Sequence, residues 1–115
     1  MEFMLDTANL DDIKKFADFL PIAGVTSNPS IVKKEGKIDF FHHMKEIRGI
    51  IGEHRSLHVQ VVATDYEGII KDAETILANI DQKVFIKIPV NEPGLKAIKE
   101  LKRRGVNVTA TAIYT

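Results

Sequence analysis

The sequence predicts an α/β protein made of successive strand–helix units with parallel strands, and two observations predict it. Stretches of strand character alternate with stretches of helical apolar spacing along all 115 residues. Each strand also carries a polar residue toward its C-terminal end: Asp6, Thr26 with Asn28 just beyond, Gln60, Lys87 and Thr111.

Residues 2–6 read as the first strand. Leu10, Ile13, Phe16, Ala17 and Leu20 then recur at helical spacing, with Thr7 or Asn9 available as the cap. Residues 22–26 form the second strand. Asn28-Pro29-Ser30 turns the chain toward a short helix ending near Gly36, and a longer helix follows with Phe40, Phe41, Met44, Ile47, Ile50 and Ile51 on its apolar side. Residues 57–63 are the third strand. Thr64 and Glu67 have the spacing of a capping box, opening a helix whose apolar set is Tyr66, Ile69, Ile70, Ala73, Ile76 and Leu77. Residues 83–88 are the fourth strand, halted by Pro89. The next helix runs from about Pro93 to Arg104, and Gly105 is a suitable left-handed terminator. Residues 106–113 make the fifth strand.

Strands alternating with helices indicate βαβ units and a parallel sheet, either open and doubly wound or closed into a barrel. A complete barrel needs at least roughly 200 residues, so length favours the open sheet. The polar residues argue the other way, because barrel active sites draw catalytic groups from the ends of several strands, whereas open sheets place sites mainly in loops at a switch point.

Side chains alternate faces along a strand. Phe85 and Lys87 therefore share one face, with Val84, Ile86 and Ile88 on the other; His58, Gln60 and Val62 go together, as do Thr109, Thr111 and Ile113. Lys87 is the most informative of these. Its surroundings, Val-Phe-Ile-Lys-Ile-Pro, resemble a strand buried on both faces. An edge lysine that snorkels to water is the competing reading. A buried, unpaired ammonium is costly, and a lysine kept neutral is an amine that attacks carbonyls. Asp6 reads equally well as a first-turn acid or cap, Thr26 and Asn28 as turn builders, and Thr109 and Thr111 as ordinary strand residues. Gln60 in an apolar strand needs hydrogen-bond partners. The co-placement, rather than any single residue, carries the argument.

Three blocks resemble a known family: Leu5-Asp6-Thr7-Ala8-Asn9, Gly24-Val25-Thr26-Ser27-Asn28-Pro29-Ser30 and Ile86-Lys87-Ile88-Pro89. In order and spacing they are similar to the small transaldolases and fructose-6-phosphate aldolases. The resemblance implies a (β/α)8 TIM barrel, residues 1–115 being the N-terminal part of one such domain with its first five strands. It implies that Lys87 forms a Schiff base with a ketose, that Asp6 and Asn28 hold the hydroxyls of the dihydroxyacetone portion, and that Thr26 supports that pocket. Gln60 and Thr111 would hold the water used in proton transfers. Glutamine at position 60, where transaldolases typically have glutamate, and the ending Thr111-Ala112-Ile113-Tyr114 favour the aldolase subgroup. Strands six to eight, with an acid–base tyrosine and the arginine and serine that grip the phosphate, would fall beyond residue 115. A homo-oligomer is expected. Apolar edges on such a partial barrel are prone to pair with another chain, so residues 1–115 alone should self-associate or fold poorly, with little activity. The alternatives are a non-catalytic half-barrel serving as an assembly module and another lysine-dependent barrel aldolase, such as one acting on deoxyribose phosphate.

Composition narrows the remaining classes. Sixteen basic residues balance sixteen acidic ones, so no long-range field recruits nucleic acid or an anionic membrane. Cysteine is absent, which excludes disulfides and thiol chemistry within these residues. The expected partner is a small sugar phosphate or ketose, with no nucleic acid, no membrane, no metal and no cofactor, in a cytoplasmic setting. His42 and His43 are adjacent and would point about 100° apart on a helix, a poor chelating pair. Lys102-Arg103-Arg104 reads as a solvated helix end complementing the dipole.

Overall fold

A computed structural model of the chain describes residues 3–7, 9–19, 22–27 and 39–111. Its elements are β1 (Phe3–Asp6), α1 (Leu10–Phe19), β2 (Ile22–Ser27), α2 (Phe40–Ile51), β3 (Ser56–Gln60), α3 (Tyr66–Asn79), β4 (Phe85–Pro89), α4 (Glu92–Arg103) and β5 (Val108–Thr111). The strands follow one another in chain order, β1-β2-β3-β4-β5, as successive βα units of a TIM barrel do. The expected short helix before Gly36 lies outside the described residues. So do Asn28 and residues 112–115.

The chain divides into two compact units, residues 1–58 and 59–115. In the first, β1 and β2 pair in parallel, and Ile13 of α1 and Met44, Ile47 and Ile51 of α2 are buried with Ile22, Val25 and Leu57 of the strands. Asn9 caps α1, its Oδ1 accepting from the Asp12 amide at 2.9 Å. Asp39 does the same for α2 through the His42 amide at 2.9 Å. Gly24 has a steric reason to be glycine: a Cβ there would run into the side-chain and carbonyl oxygens of Ser56.

In the second unit β4 and β5 are parallel, and Ile86 and Ile88 are fully buried with Val59, Val84, Ala73, Ala97 and Leu101. Three expectations are corrected here. The cap of α3 is Asp65, whose Oδ2 accepts from the Gly68 amide at 3.2 Å, and not Thr64. Either residue type caps helices, and the helix begins at Tyr66, which makes Asp65 the flanking position. β3 stops at Gln60 rather than 63, because the Val62 and Ala63 amides donate to the Asp72 carboxylate and not to a strand. Pro89 belongs to β4 rather than halting it. The bonds toward β5 come from the Ile86 and Val90 amides, to Asn107 and Thr111 carbonyls, so the N–H that proline lacks is not required on that side. At the end of α4, Gly105 adopts φ +79°, and the Gly105 and Val106 amides bond back to the Lys102 and Leu101 carbonyls, a Schellman termination.

Candidate active site

In the first unit, the β1–β2 register sets Asp6 beside Thr26. The Thr26 hydroxyl donates to Asp6 Oδ1 at 2.8 Å. Asp6 therefore does not cap α1. It stands exposed at the C-terminal end of β1 with its carboxylate oriented by the neighbouring strand. Thr26 spends its hydroxyl on that contact rather than on a turn. Ser27, next along β2, is buried, and its hydroxyl has no partner among the described residues.

In the second unit one backbone bond sets the geometry. The Val61 amide donates to the Lys87 carbonyl at 3.2 Å. In a parallel ladder the residue that accepts from position i+1 lies opposite position i, so Gln60 faces Lys87 across one strand spacing of about 4.8 Å. On the other side Lys87 pairs with Thr109, and Pro89 with Thr111. Gln60, Lys87 and Thr109 thus form a row on one face, with Thr111 one step further toward the strand ends. Burial alternates as strand geometry requires: Phe85, Lys87 and Pro89 are half-buried while Ile86 and Ile88 are 0% exposed. The strand is therefore not buried on both faces within the described residues. Lys87 lies on the face that α3 and α4 do not cover.

Thr111 Oγ1 is buried and has no hydrogen-bond partner among the described residues. The chain just past β3 and β4 presents exposed apolar side chains, Val62 and Val90. Asp72, which periodicity places among ordinary polar positions of a helix, pins the loop after Gln60: its Oδ2 accepts from the Val62 amide at 3.0 Å and the Ala63 amide at 2.8 Å. A helix acid spaced to reach back to a strand end leaves no periodic signal.

A carboxylate–guanidinium cluster lies elsewhere in the second unit. Hydrogen bonds from Arg103 and then Arg104 hold the Glu100 carboxyl down at about 2, and Arg104 also reaches Glu74 of α3 at 3.2 Å. With Tyr66, Lys96 and Lys99, Glu100 and Arg103 line an outer groove of about 420 Å³ that includes none of the predicted site residues. Tyr66 is accordingly exposed rather than part of the apolar face of α3. His42 pairs with Glu46 at 2.8 Å, while His43 is buried. Among the described residues no group of three or more His, Asp or Glu is placed to hold a metal ion. No described helix is long and apolar enough to cross a membrane.

Lys87 on the fourth strand thus lies between Gln60 of β3 and Thr109 of β5, with Thr111 opposite Pro89. The chain belongs to the transaldolase/fructose-6-phosphate aldolase family, whose model matches residues 3–115. It is 57% identical over 115 residues to a Streptococcus pneumoniae (strain ATCC 700669 / Spain 23F-1) protein named "Probable fructose-6-phosphate aldolase", covering 100% of this chain and 52% of the relative. Proteins named "Probable transaldolase" from Agathobacter rectalis and from Geobacillus sp. (strain WCH70) are 43% and 41% identical, again over 100% of this chain and 52% of each relative. The chain spans about half the length of these curated relatives.

Proposed function

We propose that residues 1–115 form the N-terminal part of a single barrel domain in a Schiff-base aldolase, with Lys87 as the amine that attacks the ketone of fructose 6-phosphate. The observation that carries the reading is the in-register placement of Lys87 between Gln60 and Thr109, one step below Thr111. The neutral amine adds to the C2 carbonyl, and loss of water gives an iminium. A base takes the proton of the C4 hydroxyl as the C3–C4 bond breaks, and its electrons pass to the iminium. Glyceraldehyde 3-phosphate leaves and an enamine of dihydroxyacetone remains. Protonation at C3 and hydrolysis release dihydroxyacetone and regenerate Lys87.

Gln60 cannot itself carry a proton, since an amide only donates and accepts hydrogen bonds. Its role is to position a water, with Thr111 offering its hydroxyl to the same water. Asp6 and Asn28 bind the hydroxyls of the dihydroxyacetone portion, and Thr26 orients Asp6. A homo-oligomer is part of the proposal. Transfer of dihydroxyacetone to a second aldose phosphate is the alternative outcome for the same enamine, favoured by the relatives named transaldolase; the higher identity to the one named aldolase favours release.

Borohydride reduction in the presence of dihydroxyacetone tests the assignment in the natural full-length protein. One adduct on Lys87 is expected, absent in Lys87→Ala. Lys87→Arg should also fail, because guanidinium stays protonated and is not nucleophilic. Undiminished labelling of Lys87→Ala would remove Lys87 from the mechanism.

A further inference from the structure

Beyond Gln60 the backbone is held at three successive amides. The Val61 amide is bound by the Lys87 carbonyl at 3.2 Å. The next two, Val62 and Ala63, both donate to a single oxygen of Asp72, at 3.0 and 2.8 Å. Val62 itself is 68% exposed, so its side chain contributes little to anchoring this segment. Without Asp72 two consecutive N–H groups at the end of β3 would face water, and the strand end would be free to fray.

Asp72 is well placed to fix that end. It lies on the second turn of α3, and its helical neighbours Ile69 and Ala73 are 1% and 0% exposed, so packing locks the face from which the carboxylate projects. A carboxylate accepting two backbone N–H groups makes stronger, charge-assisted bonds than a neutral acceptor. Catalytic geometry also depends on supporting residues carried by rigid elements.

We propose that Asp72 is a positioning residue for the aldol reaction: it holds the backbone beyond β3 so that Gln60 stays opposite Lys87. This inference rests on the assignment of Gln60 as the residue that positions the catalytic water. Displacement of Gln60 should slow the proton-transfer steps rather than weaken binding of the ketose, so the effect falls on kcat.

A double-mutant cycle in the natural full-length protein tests this, with kcat and KM measured for ketose cleavage. Asp72→Ala should lower kcat about tenfold, with KM moving less than about twofold. Asp72→Asn keeps an acceptor of the same shape and should recover most of the loss. In a Gln60→Ala background, Asp72→Ala should cost less than about a further twofold, because the residue it acts through is already gone. Full multiplication of the two effects would overturn the proposal while leaving Gln60 in its role. If Gln60→Ala leaves kcat unchanged, the Gln60 assignment fails and the positioning role falls with it. Should Asp72→Ala not fold, the same comparison is made with Asp72→Asn, whose smaller kcat loss must also vanish in the Gln60→Ala background.

Discussion

Gly24→Ala is a sharp test of how the strands of the first unit approach one another. A Cβ at this position would meet the Ser56 carbonyl and hydroxyl oxygens well inside van der Waals contact. The substitution has favourable terms: less freedom in the unfolded chain, worth about 0.4–1 kcal/mol, and burial of a methyl group, worth about 0.8 kcal/mol. Against these, the carbonyl is backbone and cannot rotate away, so β2 must move from Ser56 by roughly 1 Å, and overpacking of this kind costs about 1–3 kcal/mol. Each ladder bond stretched beyond its range adds a further ~1 kcal/mol. Taking the midpoints of these terms, the net expectation is destabilisation by about 1.5 kcal/mol, read as a lower urea midpoint at unchanged slope. Gly49→Ala is the control: it lies on the exposed side of α2 with nothing within 4 Å of its Cβ, and should stabilise by about 0.5–1 kcal/mol. Adding Ser56→Ala to Gly24→Ala removes the hydroxyl contact but leaves the carbonyl, so recovery should be partial. A Gly24→Ala protein as stable as the parent would show that the strands do not approach as described.

Two further outcomes are expected. Gln60→Glu introduces a group that carries protons where an amide can only donate and accept hydrogen bonds, and should raise transfer to erythrose 4-phosphate relative to release of dihydroxyacetone; an unchanged partition ratio in the full-length protein would end that idea. The Glu100 carboxyl, lowered from its ordinary 4.5 to about 2 by Arg103 and Arg104, should titrate near 2 by NMR and move back toward 4.5 in Arg103→Ala/Arg104→Ala. Because its folded value is depressed, its contribution to stability is present above pH 4.5 and is lost as pH falls through about 2; a midpoint near 4.5 in the parent would refute the cluster.

The sequence reveals much of this arrangement because strand alternation is a two-residue rule. Once Phe85–Pro89 is a strand, Lys87 must oppose the buried face of Ile86 and Ile88, and the same rule places Gln60 and Thr111. What it conceals depends on contacts between elements. Thr64 and Asp65 are both good caps, and only the start of α3 decides between them. Arg104 meets Glu74 thirty residues away, a pairing no local spacing encodes. The reason for Gly24 sits on Ser56, not in the motif that contains the glycine. Lys87 is half-buried rather than enclosed because an apolar run of strand residues does not say which face the helices cover.

The two threonines of β5 offer a choice, and we propose Thr111 as the one that meets the reacting amine. Both lie on the Lys87 face: Thr109 directly opposite Lys87, Thr111 opposite Pro89. A mechanism concerns the lysine nitrogen rather than its Cα, and an extended lysine side chain reaches roughly 6 Å from the backbone. Strand side chains lean along the strand, and two residues of a parallel strand rise about 6.6 Å. A lysine side chain that leans toward the strand end would bring its amine toward the level of Thr111 and away from that of Thr109. Thr111 Oγ1 is in addition buried without a hydrogen-bond partner among the described residues. Valine keeps the shape of threonine and removes only the hydroxyl, so Thr111→Val should lower kcat by about 10²-fold, the lower end of what acid–base assistance supplies. Thr109→Val should change it less than about threefold, since the group it removes is not at the reacting level. Steady-state cleavage of fructose 6-phosphate by the two full-length variants decides the matter, and a larger loss for Thr109→Val would reverse the assignment.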